Sequence, residues 1–158
     1  MISPTNEKIL NILCQNAKLS TREISQQVKI PITTVHNRIK KMEREGIIKG
    51  YTAIVDHKKL GKNIQAIIDV SVNYTGPAGR TISQQKLAEQ LYQMPQVENC
   101  YITTGKSDIS IQVIAKDVEE LNDFVINKLR NIPGVENTMT SIVLMDLSEK
   151  KKKPAPVV

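Results

Sequence analysis

The sequence predicts an α+β fold, a basic, winged-type helix-turn-helix followed by a ferredoxin-like βαββαβ domain. Three observations point there. Short amphipathic stretches with sharp cap and stop signals fill residues 1–46, and a β-branched run follows them. In the back half, Leu91-Tyr-Gln-Met-Pro95-Gln-Val97-Glu98-Asn99 returns as Leu129-Arg-Asn-Ile-Pro133-Gly-Val135-Glu136-Asn137, an offset of 38 residues. The charge divides with the pattern: residues 1–62 hold 12 Lys/Arg against 5 Asp/Glu, whereas residues 63–149 hold 6 against 11.

The first helix is expected over residues 5–16, where Ile9, Ile12 and Leu13 recur at i, i+3 and i+4, with Ser3 or Thr5 as its cap. Ser20-Thr21-Arg22-Glu23 is a capping box that starts a second, short helix at Ser20, carrying Ile24 and Val28. Ile30-Pro31 stops it, because the residue before a proline is driven out of the helical region. A third helix over residues 33–45 follows almost at once, with Val35, Ile39 and Met42 inward and Gly46 as a left-handed cap. Residues 47–55, rich in Ile, Tyr, Thr and Val, read as a strand. The first domain therefore spans residues 1–55, with the polar, basic residues 56–62 as a linker.

Residues 63–147 make the second expected domain. In each copy of the repeat a helix ends just before the proline and a strand begins just after it. The helices fall over residues 83–93 and 118–131, and strands over residues 64–72, 97–103 and 109–115, with a last one after Pro133, complete the order β-α-β-β-α-β. Residues 104–108 form a tight connection, whereas the loop 73–81, with Gly76, Pro77 and Gly79, is long for its position. Both helices lie on one sheet face, so the other face needs cover, which a homodimer packing two sheets face to face supplies. Residues 148–158 have the composition of a disordered basic tail.

Composition excludes several classes. Apolar residues at 40% and charged residues at 24% suit a globular chain. No apolar run approaches the ~18 residues of a membrane span. The start MISPTNEKIL lacks the basic and apolar regions of a secretory signal, so a cytoplasmic protein with no membrane partner is expected. Cys14 and Cys100 have no second Cys or His nearby and read as small apolar residues. His36 and His57 lie in the front half, away from Cys100 and Asp108, and no Ser/His/Asp grouping or phosphate loop occurs. No catalytic residue, metal or cofactor is expected.

With its apolar stripe inward, the third helix shows Thr33, Thr34, His36, Asn37, Arg38, Lys40, Lys41 and Arg44. Asn pairs with adenine, Arg with guanine, and a Thr methyl touches thymine, so Thr33, Thr34, His36, Asn37 and Arg38 are base-contact candidates on double-stranded DNA. Lys40, Lys41, Arg44 and Lys49 suit phosphates. A membrane surface fits less well, because Glu43 and Glu45 interrupt the basic residues and aromatic anchors are missing. Paired recognition helices read half-sites about 34 Å apart, so the dimer meets a functional need as well.

Three stretches of the front half resemble the Lrp/AsnC, or feast/famine, regulators: Glu7-Lys-Ile-Leu-Asn-Ile-Leu13, Leu19-Ser-x-x-Glu-Ile24 and the run from Val35 through Arg38-Ile-Lys-Lys-Met-Glu-Arg-Glu-Gly to Tyr51. Thr104-Gly-x-x-Asp108 and Thr138-x-Thr140-x-Ile-Val143 are similar to that family's amino-acid-sensing RAM domain. The resemblance covers about residues 5–147. It implies a domain-swapped dimer assembling to an octamer, and an amino-acid effector held between dimers near the hairpin connection. Asp108 would meet the effector's ammonium, and Gly105, Thr138 and Thr140 its carboxylate, with Tyr101 and Thr103 as further neighbours. Two departures stand out. The family usually has glycine near Lys29 and a serine cap where this chain has Pro31, which passes the capping role to Thr33. An architectural DNA-binding protein without an effector is the alternative reading. An enzyme is the other alternative class, since the fold alone excludes no activity.

Overall fold

The structure, a computed structural model, describes residues 2–76, 79 and 81–147. Residues 2–54, with 146 and 147, cluster as one compact unit and Val55–Met145 as another. The tail 148–158, expected to be disordered, lies outside the described residues, as do Pro77, Ala78 and Arg80 of the long loop.

The first unit holds three helices, α1 (Pro4–Gln15), α2 (Thr21–Val28) and α3 (Ile32–Arg44). Ser3 caps α1 by accepting from the Asn6 N–H, with Pro4 at the first helical position. The capping box of α2 is complete: Ser20 Oγ accepts from the Glu23 N–H while Glu23 accepts from the Ser20 N–H at 2.7 Å. The Ser20 hydroxyl, which also donates to the Glu23 carboxylate at 2.7 Å, and then the Ser20 backbone N–H hold that carboxyl below its ordinary range. Ile9, Leu13, Ile24, Val35 and Met42 form the buried centre, with Leu10, Ile12, Leu19, Val28, Ile30, Ile39 and Ile48 packed around it.

Two expectations fail here. The third helix starts at Ile32 with Pro31 at the cap position and no side-chain capping bond, so Thr33 does not take the capping role. The strand expected over residues 47–55 does not form. A strand needs a ladder partner, and these residues have none among the described residues. Ile54 is 86% exposed, while Ile47 and Ile48 turn back to donate to the Met42 carbonyl. Gly46, at φ +70°, makes the left-handed stop that the sequence predicts.

The second unit opens with a 3₁₀ turn, Lys58–Leu60, and carries β1 (Ile64–Val72), α4 (Gln84–Tyr92), β2 (Val97–Ile102), β3 (Ile109–Ala115), α5 (Val118–Asp123) and β4 (Val135–Ile142). Past α5 the chain stays helical through a π turn, Phe124–Lys128, and a 3₁₀ turn, Leu129–Asn131, so the helix expected over residues 118–131 is one continuous rod of changing pitch. Among the described residues the strands form one antiparallel sheet ordered β2-β3-β1-β4. Ala66, Ile68 and Val70 of β1 and Ile109, Ile111, Val113 and Ala115 of β3 are fully buried, with Leu91, Phe124 and Leu129 against them.

The repeat has structural consequences. Leu91 and Leu129 are equivalent core residues, both fully buried. Each copy also carries a β-bulge at its glutamate: the register of β2 skips Glu98 and that of β4 skips Glu136. The copies differ at Gln96, whose equivalent in the second copy is Gly134; that glycine sits at φ +99°, and an added Cβ there would lie 2.8 Å from Ile82.

Lys29 stands near the position where the resemblance leads to glycine, and its backbone has a conformation that suits glycine. It closes α2 in the left-handed region, φ 56° and ψ 45°. That conformation costs an L-residue roughly 1–2 kcal/mol, and glycine's larger unfolded-state entropy gives back about 0.5–1 of it. Lys29→Gly is therefore expected to stabilise the first unit by about 0.5–1 kcal/mol in denaturant unfolding. Unchanged or lower stability would mean that the turn adopts another backbone in solution.

Candidate DNA interface and effector site

The residues expected to meet DNA all lie on α3 or just beyond it. Thr33, His36 and Asn37 are exposed and Thr34 is half-buried. Without a side-chain cap, the first turn of α3 leaves backbone donors to solvent or a ligand. Lys40 pairs with Glu43 at 3.0 Å and Lys41 with Glu45 at 3.7 Å, while Arg44 and Lys49 are exposed. Glu43 also accepts from the Tyr51 hydroxyl at 2.9 Å. Lys40 first, and Tyr51 second, hold the Glu43 carboxyl low. Burial, and then the bond to Glu43, push the Tyr51 phenol up. Tyr51 thus belongs to the surface of α3 rather than to a wing strand.

Arg38 behaves differently from its neighbours. It is half-buried, and its Nη1 donates to Asn6 Oδ1 at 2.8 Å and to Ser3 Oγ at 3.2 Å, both on the first turn of α1.

The residues expected to meet an effector cluster less tightly. The β2–β3 connection turns at Gly105, φ +124°, and Thr103 closes it, its N–H donating to the Asp108 carbonyl and its hydroxyl to the Ser107 carbonyl. Asp108 bridges to the end of β1. Its Oδ2 accepts from the Val72 N–H and its Oδ1 from the Tyr74 hydroxyl, each at 2.8 Å. The Gln84 amide donates to the Asp108 carbonyl at 2.8 Å, tying α4 to the same corner. Thr138 accepts from Arg130 Nε at 3.0 Å. Thr138 pairs with Val70, which in turn pairs with Ile109, so one strand, a gap of about 10 Å, separates Thr138 from the hairpin.

Register divides these residues between sheet faces. Thr138 and Thr140 share the helix-side face with Val70 and Ile68. Tyr101 pairs with Ser110, which pairs with Asp69, whose other partner is Met139, so Tyr101 belongs to the opposite face. Asp108, Gly105 and Thr103 come together; Tyr101 does not join Thr138 and Thr140 within one chain. Tyr74, Gln84 and Arg130 were missed by the sequence reading, because only the fold brings Tyr74 to Asp108 across 34 residues.

Among the described residues no group of three or more His, Cys, Asp or Glu is placed to hold a metal ion. No helix among them is long and apolar enough to cross a membrane. The sequence pattern of the Lrp/AsnC ligand-binding domain matches residues 65–155, and that of a winged helix-turn-helix DNA-binding domain matches residues 2–49. The chain belongs to the Lrp/AsnC family. It is 37% identical over 149 residues to the HTH-type transcriptional regulator FL11 of Pyrococcus horikoshii, covering 94% of this chain and 93% of that one. It is 32% identical over 157 residues to the transcriptional regulator AzlB of Bacillus subtilis, covering 99% and 96%. Among solved structures, a transcriptional regulator–L-Met complex from Neisseria meningitidis superposes with a TM-score of 0.88 at 26% identity, over 99% of this chain and 97% of that one. AsnC of E. coli superposes at 0.81 with 28% identity, over 93% and 95%. This Lrp/AsnC chain is a non-enzymatic, DNA-binding transcriptional regulator with a ligand-binding domain.

The Asp108 clamp has a spectroscopic signature. The carboxylate acceptor raises the Tyr74 phenol above its ordinary value of about 10, with burial adding less. A raised phenol favours folding below the ordinary value, and that contribution is lost as pH rises through the folded value. Difference absorbance between wild type and Tyr74→Phe is expected to show late ionisation, and Asp108→Asn to bring it back toward about 10. Ordinary ionisation in the wild type would mean that the clamp is open in solution.

Proposed function

We propose that this Lrp/AsnC regulator is a cytoplasmic protein that binds DNA sequence-specifically through the outward face of α3, and that a free amino acid governs that binding. One observation carries the reading: a chain with a basic recognition helix matches, along almost its whole length, a regulator crystallised with L-Met. Thr33, Thr34, His36 and Asn37 face the bases, while Arg44 and Lys49 serve phosphates, as do Lys40 and Lys41 after exchanging their glutamate partners.

The effector site centres on Asp108. Each of its oxygens accepts one bond within the chain, and a carboxylate has about four lone-pair sites, which leaves capacity for an ammonium. Thr138 keeps its hydroxyl proton to donate, since its oxygen is the acceptor toward Arg130. Thr140 and the Gly105 backbone complete the carboxylate partners. Thr103 lines the connection. Because Tyr101 lies on the other sheet face, it reaches the same ligand only from a second copy. That open face carries Ile67, Tyr101 and Met139, each at least 44% exposed, which supports a homodimer through it. In the proposed assembly such dimers build an octamer. The effector then acts on how copies associate, and so on the spacing of their recognition helices.

Calorimetry with each of the twenty amino acids, alongside DNA titrations at several salt concentrations, tests this. At least one amino acid should give heat, and DNA affinity should fall linearly in log–log salt plots as counterions are released. Asp108→Ala should retain DNA binding and weaken the effector by about tenfold or more, the effect of losing a charge-assisted hydrogen bond. Tyr74→Phe, which loosens the same corner but keeps the carboxylate, should bind the effector nearly normally. No heat from any amino acid, with DNA binding intact, would leave an architectural DNA-binding protein.

A further inference from the structure

The geometry points to Arg38 as a positioning residue for DNA recognition rather than a reader of bases. This inference rests on the reading of α3 as the recognition helix. In the sequence, an arginine near the start of such a helix invites assignment to guanine, whose O6 and N7 fit its fork. Two independent features of the structure argue otherwise.

The first is direction. At about 100° per residue, Arg38 lies about 60° round the helix from Val35 and about 40° from Met42, the two fully buried residues of α3. Thr33, Asn37 and Arg44 lie about 160–200° from Val35, opposite the core. Arg38 therefore borders the buried stripe, and its stem leaves the helix toward α1.

The second is the pair of acceptors waiting there. Asn6 Oδ1 and Ser3 Oγ both receive Arg38 Nη1, and Ser3 is itself fixed as the cap of α1 by the Asn6 N–H. The three residues close a triangle around the first turn of α1, its third edge the Asn6 backbone N–H on Ser3 Oγ. Charge does not draw the guanidinium there, since a cation beside a helix N-terminus opposes the helix dipole, an effect that Glu7 in the same turn offsets. Directed hydrogen bonds hold it. The bonds join residues 32 and 35 positions apart and so pin α3 against α1 at a point the apolar core does not reach.

A guanidinium held this way sets the rotation of α3 about its own axis. A small rotation displaces Thr33, His36 and Asn37 together, so losing the clamp weakens every DNA sequence alike. Base preference then rests on Thr33, His36 and Asn37, and an adenine opposite Asn37 is the strongest single determinant.

Binding-site selection and affinity measurements on the full chain test this, using Arg38→Ala, Asn6→Ala, Asn6→Asp, the Arg38→Ala/Asn6→Ala pair and Asn37→Ala. All binding is measured well below each variant's melting transition. Ser3 is left alone because it also caps α1. Arg38→Ala and Asn6→Ala should each weaken all sequences by a similar factor, about threefold to thirtyfold, with base preferences unchanged. The double variant should be no weaker than the poorer single one, and Asn6→Asp, which keeps an acceptor, should restore most of the affinity. Asn37→Ala should erase preference at one adenine. Loss of a guanine preference in Arg38→Ala, with Asn6→Ala unaffected, would make Arg38 a base reader and overturn the inference. Losses that merely track the unfolded fraction would overturn it too, by showing a purely structural role. If Asn37→Ala and Arg38→Ala both leave DNA binding untouched, the assignment of α3 as the recognition helix fails, and this inference with it.

Discussion

Ala66, Ile68, Val70 and Val72 on β1, with Ile109, Ile111, Val113 and Ala115 on β3, bury one face of the sheet beneath α4 and the helical rod from Val118 to Asn131. Alternation does the rest. Side chains point to opposite faces in turn, so burying one set turns Gln65, Ile67, Asp69 and Ser71 to the other side. The two central strands are locked in register, since a slip of one residue would exchange the sets. Once β1 and β3 are fixed, β2 and β4 can only be edges, and the β2–β3 connection must lie beside the end of β1. The Asp108 carboxylate meets the Val72 N–H because of that register. The corner proposed to take an effector is thus a by-product of core packing, made rigid by Tyr74 from the chain after β1 and by Gln84 at the start of α4.

The first unit has much less core to work with. Five of its described residues are buried, so local devices carry more of the burden of defining its geometry. The Ser20–Glu23 box starts α2, Lys29 ends it at a conformational cost, and Ser25 Oγ bonds the Ile30 carbonyl at 2.6 Å to hold the turn. Arg38 belongs to this set. The basic face of α3 is partly neutralised by its own glutamates, with Lys40 on Glu43 and Lys41 on Glu45. Such exposed pairs contribute little to stability, so exchanging a carboxylate for a phosphate costs little.

Much of this was legible in the residues. The 38-residue repeat predicted the order of the second domain, and its Val-Glu-Asn element marks both β-bulges, at Glu98 and Glu136. Cap signals located α1, α2 and the Gly46 stop to within a residue or two. Residues 47–55 misled for a physical reason: β-branched composition favours an extended chain, but a strand exists only with a partner, and composition does not supply one. Pro31 misled differently. The helix simply begins behind it at Ile32 without a side-chain cap, its orphan donors left open.

The same division runs through the candidate sites. Period and capping are local properties, set by neighbours three or four residues away, so the sequence by itself determined that α3 exists, which of its residues face the core, and that a turn at Gly105 precedes Asp108. What a polar side chain bonds to is not local. That Arg38 reaches Asn6, that Tyr74 and Val72 share Asp108, and that Tyr101 lies on the face opposite Thr138 follow from strand register and helix packing. Only the tertiary structure decided them, because hydrogen bonds are directional and short, and residues far apart in the chain meet only where the buried core brings their backbones together.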